Sequence, residues 1–257
     1  MHTSKELLDH VTIVLVRPKL AENIGAAARI AWNMGINRLI IVSGNVPARE
    51  NMAKMATHNA IHLLDNMLIY SRLDEALAGF TIVAGTTARR GRLRFVETTP
   101  RKMAAEIVPM LATNEFAILF GPEDTGLTND DLKFCQMASA IPTADFSSMN
   151  LAQAVAIHCY ELYHEIVNSN KIEIQSPQFA TSHELESMYA FMEKSLQTID
   201  FIDNVNQLYW MSNIRRLLGR MKLTSKDANI IRGICKKFLA FQPPDEGISG
   251  KPHEPDR

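Results

Sequence analysis

The sequence of 257 residues predicts an α/β fold: a mostly parallel sheet with a small all-α extension at its C-terminal end. Three observations lead there. Val11–Val16 (VTIVLV) is a continuous apolar run rich in β-branched residues, the pattern of a strand buried on both faces of a parallel sheet. The alanine-rich stretch NIGAAARIAWNMG and then Arg38–Val42 (RLIIV) follow, so the chain opens as a βαβ unit with a right-handed crossover. From residue 184 onward the apolar residues recur at helical spacing, as in YWMSNIRRLLGRMKL.

Each element has its own signature. Asn23 stands where it can cap the first long helix, which ends near Gly35. Residues 48–64 and 73–78 read as helices, with MLIYS between them as a short strand. His58 and His62 have a metal-compatible spacing, but no third ligand stands in register, so they read as surface or packing residues and no metal is expected. Residues 80–84 (FTIVA) read as a buried strand, and Pro100 opens a helix over 100–111. Two more strands, 117–120 (AILF) and 138–141 (ASAI), flank the short helix of TNDDL. A long helix then runs to about Asn168. The polar stretch around Pro177 marks a boundary. The expected organisation is an α/β domain over 1–168, a linker over 169–183, a helical extension over 184–242 and a tail over 243–257 whose Pro, Gly and charge predict disorder.

Composition narrows the function classes. The chain is 46% hydrophobic and 21% charged, as in ordinary globular proteins. Cys135, Cys159 and Cys235 are widely spaced and odd in number, which argues against a disulfide framework and a zinc site and for a reducing, cytoplasmic setting. MHTSKELLDH lacks an apolar signal core, and no run approaches the roughly 20 apolar residues that cross a bilayer, so a membrane is not an expected partner. The formal net charge of -1 conceals two basic segments. Residues 86–102 carry Arg89, Arg90, Arg92, Arg94, Arg101 and Lys102 against Glu97 alone. Residues 210–237 carry Arg215, Arg216, Arg220, Lys222, Lys226, Arg232, Lys236 and Lys237 against Asp227 alone. Concentrated positive charge suits a polyanion, and the interleaved Tyr189, Tyr209, Trp210 and Phe238 suit RNA; solvated faces and a helical docking core explain the same residues.

The candidate site lies in FGPEDTGL (120–127) and IPTADFSSMNLAQAVAI (141–157), each a polar turn after a strand. Backbone groups freed where strands end are natural holders of a small ligand. Gly121 permits close approach, Gly126 a left-handed turn, and Glu123 is the side chain there suited to ligand chemistry; Asp124 stabilises the turn. Ser147, Ser148 and Asn150 exceed what one helix cap requires. Arg29 is a lone arginine on a small-residue helix, six positions after Asn23 and therefore about 9 Å along it. GTTARR after the third strand is not a GxGxxG fingerprint, so a dinucleotide is poorly matched.

NIGAAAR, FGPEDTGL and SSMNLAQAVAI, in this order, resemble the three motifs of the SpoU/TrmH family of SPOUT RNA methyltransferases. GTTAR and the extension with LLGRMKLTSKDANIIRGI are similar to its TrmJ branch, 2'-O-methyltransferases of tRNA nucleotide 32. The resemblance covers residues 11–241. It implies an α/β-knot fold with a C-terminal trefoil knot, a homodimer, S-adenosyl-L-methionine as cofactor and tRNA rather than DNA as partner. It places the cofactor on Thr86, Thr87, Ala88, Gly121, Ile141, Ser148, Met149 and Asn150, and catalysis or substrate positioning on Asn23, Arg29, Glu123, Ser148 and Asn150. Arg89, Arg90, Arg92, Arg94, Arg215, Arg216, Arg220 and Lys222 become the expected RNA contacts. An arginine with a pKa above about 12 is a costly base, so Arg29 is expected to grip a phosphate and stabilise developing alkoxide charge, with Glu123 and Ser148 orienting the sugar or relaying its proton. The segment MATHNAIHL departs from the Gly-containing pattern of many bacterial members. This leaves rRNA or another tRNA position as an alternative substrate. A silent RNA-binding protein on the same fold, or a nucleotide-binding oxidoreductase, are the alternatives of other classes.

Overall fold

The computed structural model describes residues 2–88, 97–168 and 176–241. A short helix, α1 (Ser4–Asp9), closed by a Thr3/Glu6 capping box, precedes the predicted opening. Then follow β1 (Val11–Val16), α2 (Ala21–Asn33), β2 (Arg38–Val42), α3 (Arg49–Asp65), β3 (Leu68–Tyr70) and α4 (Leu73–Leu77). The second half of the sheet is β4 (Ile82–Thr86), β5 (Glu97–Thr98), α5 (Pro100–Ile107), β6 (Phe116–Phe120), α6 (Asn129–Leu132), β7 (Met137–Ser139) and α7 (Leu151–Asn168). Three helices complete the chain: α8 (Ser182–Thr198), α9 (Gln207–Gly219) and α10 (Ser225–Leu239).

The sheet has seven strands in the order β3-β2-β1-β6-β4-β7-β5, with every neighbouring pair parallel. Its central strands are buried on both sides, which is why they read as unbroken apolar runs. Ile13, Leu15, Ile41 and Phe116 point to one core beside α2, α3, α5 and α7, while Val14, Val16, Val83 and Leu119 point to a second beside α4 and α6. Two layers of helices therefore enclose the sheet. A third core of Ala180, Met188, Tyr189, Met211 and Leu223 belongs to α8–α10.

Several elements depart from the sequence reading for identifiable reasons. β4 begins two residues later than predicted and runs through Gly85 and Thr86, because those residues pair with Leu119 of β6 and with Ala138 and Ser139 of β7. Pro109 ends the α-geometry of the helix from Pro100, whose last turn, Val108–Met110, is 3-10. The helix over 49–65 is broken at Thr57, whose φ of 59° and ψ of 167° lie in a region that favours glycine. On α2, Gly25 permits close packing: a Cβ there would stand 1.9 Å from the Met52 carbonyl oxygen of α3.

The described part of the expected linker is docked rather than free. Asn114 donates to the carbonyl of Pro177 and accepts from the Phe179 N–H, Ser182 N–H bonds to the Phe80 carbonyl, and Ala180 is fully buried. The remaining linker residues 169–175, the arginines 89, 90, 92 and 94, and the predicted tail lie outside the described residues.

Candidate active site

Three adjacent strands, β6, β4 and β7, deliver their carboxyl ends side by side. The chain leaving each of them lines one cleft of about 850 Å³, within the size range of small-molecule sites. Thr86, Thr87 and Ala88 enter from β4, Gly121 and Glu123 from β6, and Ile141, Ser148 and Met149 from β7. The seams are hydrogen bonded: Thr86 Oγ1 donates to the Leu119 carbonyl at 2.9 Å, and Thr87 N–H to the Ser139 carbonyl at 3.0 Å. The turn after β6 is tight enough to demand glycine, since a Cβ on Gly121 would meet Leu127 N at 2.2 Å, and Gly126 closes it with φ +65°.

At the rim, a chain of amides and one carboxylate joins the three motifs. Asn150 caps α7, its Oδ1 accepting from Ala152 N (2.9 Å) and Gln153 N (3.3 Å). Its Nδ2 donates to Asn23 Oδ1 at 3.0 Å, and Asn23 Nδ2 donates to Glu123 Oε1 at 2.7 Å. Glu123 also accepts from the N–H groups of Leu20 (3.1 Å) and Lys19 (2.9 Å), just ahead of α2. Burial pushes the Glu123 carboxyl up, but the bonds from Asn23 and the backbone of Lys19 and Leu20 outweigh it and hold its pKa below the ordinary value. Glu123 is thus ionised at neutral pH.

This arrangement corrects the expected role of Asn23. The helix starts two residues before it, with Leu20 as the cap residue and no side-chain cap, and Asn23 is 6% exposed inside its first turn. The N-terminus of α2 is held instead by Glu123 from another part of the chain. Arg17 and Asp131, which the sequence reading does not include, brace the same turn. Arg17 has φ 51° and forks onto Asp131 with bonds of 3.0 and 2.5 Å, while Asp131 also closes the Thr128 cap of α6. Burial opposes ionisation of Asp131, yet Arg17 and Thr128 hold its pKa low. No local sequence signal distinguishes this pair. Asp124, read as a turn residue, bonds Lys19 Nζ at 2.5 Å.

The remaining candidates fall into two groups. Ser147 and Ser148 are exposed in the cleft lining and, unlike Asn150, take no part in capping. Arg29 is exposed on α2, makes no hydrogen bond or ion pair with a described residue, and is not among the residues lining the cleft. Among the described residues of the lining there is no lysine or arginine, whereas Glu123, Asp124 and Asp145 are present. In the helical extension, Arg215 is turned inward: it pairs with Glu186 and its guanidinium lies 4.2 Å from the centre of the Tyr189 ring. Arg216 donates to Asn213 at 2.8 Å, Lys222 pairs with Glu106 at 3.1 Å, and Arg220 is exposed. His62 stacks edge-on against Trp32. No helix among the described residues is long and apolar enough to cross a membrane.

Comparison with known proteins agrees with this architecture. Residues 10–160 match the SpoU rRNA methylase family, and residues 183–246 match the tRNA methyltransferase TrmJ C-terminal domain. The chain is 36% identical over 241 residues to the tRNA (cytidine/uridine/adenosine-2'-O-)-methyltransferase TrmJ of Pseudomonas aeruginosa, covering 89% of this chain and 93% of that one. It is 32% identical over 244 residues to the tRNA (cytidine/uridine-2'-O-)-methyltransferase TrmJ of Sodalis glossinidius, covering 93% and 95%. The crystal structure of TrmJ from Z. mobilis superposes with a TM-score of 0.77 at 29% identity, over 89% of this chain and 98% of that one. With both halves matched in order and the three motifs joined at one cleft, the chain belongs to the SpoU methylase family, in its TrmJ branch.

Proposed function

We propose that the protein transfers a methyl group from S-adenosylmethionine to a ribose 2'-hydroxyl of tRNA, at nucleotide 32 of the anticodon loop, as a cytoplasmic homodimer. The observation that carries this reading is the Asn150–Asn23–Glu123 chain, which fixes all three motifs at the rim of one cleft. The donor set of the cleft fits the cofactor. Strand-end backbone and the hydroxyls of Thr86, Thr87 and Ser148 suit a nucleoside, and Ile141 and Met149 give it an apolar bed. The carboxylates of Glu123 and Asp145, in a lining whose described residues include no lysine or arginine, suit a cation, Asp124 being already paired with Lys19. When bound, the cofactor supplies a methyl group on a sulfonium. The trefoil knot implied by the family resemblance is part of the same reading.

The chain's own groups would orient the ribose and manage its charge. Glu123, ionised and already accepting three hydrogen bonds, is a poor proton acceptor; its part is to hold Asn23 and the start of α2 in place. Ser147 and Ser148 present hydroxyls to the ligand, and Asn150 retains one amide N–H beyond the bond to Asn23. Arg29, exposed and without a partner among the described residues of its own chain, grips a substrate phosphate beside the reacting hydroxyl and stabilises the alkoxide as it forms. Because it does not line the cleft of its own chain, it serves the site of a partner subunit. Exposed apolar groups on α2 and α7, Trp32, Tyr160, Tyr163 and Val167, give such a dimer its contact surface.

The test is incubation with labelled S-adenosylmethionine and total tRNA, followed by mapping of the modified nucleotide. Label on the ribose of nucleotide 32 is expected. Label on a base, or none on any RNA, would defeat the reading.

A further inference from the structure

The inner face of α7 is apolar except at one position. Leu151, Val155, Cys159 and Leu162 share it with His158, which is 1% exposed and lies in the lining of the cleft. Both ring nitrogens are engaged. Nδ1 lies 2.8 Å from the Ala154 carbonyl oxygen, which can only accept, so the proton is on Nδ1. Nε2 is therefore an acceptor, and Ser139 Oγ donates to it at 2.9 Å. The imidazole also meets the Phe120 ring edge-on, with centroids 5.5 Å apart and planes at 83°.

These contacts touch every wall of the cleft. Phe120 is the last residue of β6, immediately before Gly121, and Ser139 is the last of β7, two residues before Ile141. The Ser139 carbonyl in turn receives the N–H of Thr87, just beyond β4. We propose that His158, acting with Ser139, is a positioning residue of the methyl-donor cleft: it fixes the ends of β6 and β7 relative to each other, and through Ser139 the segment after β4, in the spacing that the cofactor's nucleoside requires. The inference rests on assigning this cleft to S-adenosylmethionine.

A leucine of similar bulk would fill the space without fixing a direction, whereas the imidazole, its own orientation set by the Ala154 bond within α7, holds the Ser139 hydroxyl of β7 at one distance and direction. The ring also carries no charge, since burial lowers its pKa to about 4. A neutral ring is compatible with a cationic ligand in the cleft, whereas a protonated one would add a positive charge to the lining and reverse the Ser139 bond, Nε2–H donating to Oγ.

The experiment uses the full chain with S-adenosylhomocysteine as the calorimetric probe, alongside thermal unfolding. Ser139→Ala and His158→Leu each leave a buried polar atom unpaired and should weaken the probe by about tenfold while lowering Tm. His158→Gln can return an acceptor to Ser139 and should bind within about threefold of the parent. The decisive variant is Ser139→Ala with His158→Leu, which removes both polar partners and should regain most of the lost Tm but not the affinity. Affinity returning together with Tm would show a merely structural role and overturn the proposal, as would single variants that bind normally. Failure of the parent protein to bind the probe would overturn the cofactor assignment and this inference with it; normal binding by parent and variants alike would overturn this inference only.

Discussion

Asn23→Ala tests the rim directly. The substitution removes the donor to Glu123 and the acceptor for Asn150 at once. A hydrogen bond to an ionised group contributes about 1.5–3 kcal/mol and a neutral pair about 0.5–1.5 kcal/mol. Glu123 and Asn150 are open enough for water to replace part of each, so the lower ends apply and the loss is about 2 kcal/mol. For a chain of this length that is a fall of about 4–8 °C in Tm. Asn23→Asp separates the electrostatic part. In the parent, the Glu123 pKa lies below its unfolded value, so its stabilising contribution is complete above the unfolded value and is lost only as pH falls through the folded one. An aspartate at position 23 would set two carboxylates against each other, raising the pKa of the pair above the unfolded values. Relative to the parent, which loses stability over this range because unfolding lets the buried His158 take up a proton, Asn23→Asp should gain stability as pH falls from 7 to 5. Thermal unfolding at pH 7, 6 and 5 reads both effects. A pH profile for Asn23→Asp parallel to the parent's, or a Tm for Asn23→Ala within 1 °C of it, would refute the reasoning.

Other expectations concern single groups. Arg29→Ala should leave stability within about 0.5 kcal/mol of the parent, because the side chain has no partner among the described residues, yet reduce methyl transfer by about 100-fold. Arg29→Lys retaining near-normal turnover and RNA affinity would exclude a bidentate guanidinium role. Thr57→Gly should raise stability by about 1 kcal/mol, the relief of a positive φ less the added freedom of the unfolded chain, measured by denaturant unfolding; a destabilised variant would mean that the Thr57 side chain matters more than its strain. Arg215→Glu should loosen the helical extension by about 2 kcal/mol, since it breaks the Glu186 pair and the Tyr189 stacking, and is therefore a poor probe of RNA binding. Arg220→Glu with Lys226→Glu, both at exposed positions, should instead weaken tRNA binding at unchanged Tm and make its salt dependence shallower by about one in logarithmic slope for each phosphate no longer neutralised; unchanged affinity would place the RNA elsewhere.

Much of the architecture was legible because buried parallel strands announce themselves: VTIVLV, RLIIV and AILF needed no context to be read. The two turns at 120–127 and 141–149 were equally visible as breaks after such strands, and both line the cleft. What stayed hidden was set by partners distant in sequence. An asparagine ahead of an alanine-rich run looks like a cap, but the group holding that helix is Glu123, 100 positions from Asn23. Gly85 and Thr86 look like the start of a loop until their ladders to β6 and β7 are seen. Arg215 sits in a basic run whose composition suggests a solvated or RNA-facing surface. Its inward turn follows from Glu186 and Tyr189 on α8, which composition does not reveal.

The carboxylate of Glu123 also decides which ligands the sheet can accept. In open α/β sheets the crevice where strand order reverses, here between β1 and β6, and the helix start beside it are the usual berth for a nucleotide's phosphates. Here that berth already has a resident anion, because Glu123 takes the N–H groups of Lys19 and Leu20 and the amide of Asn23. A phosphate brought to the same place would find its donors occupied and a negative charge opposing it. The chain therefore carries a built-in plug against dinucleotides at its first crossover, and the open space lies farther along the sheet, at the ends of β6, β4 and β7.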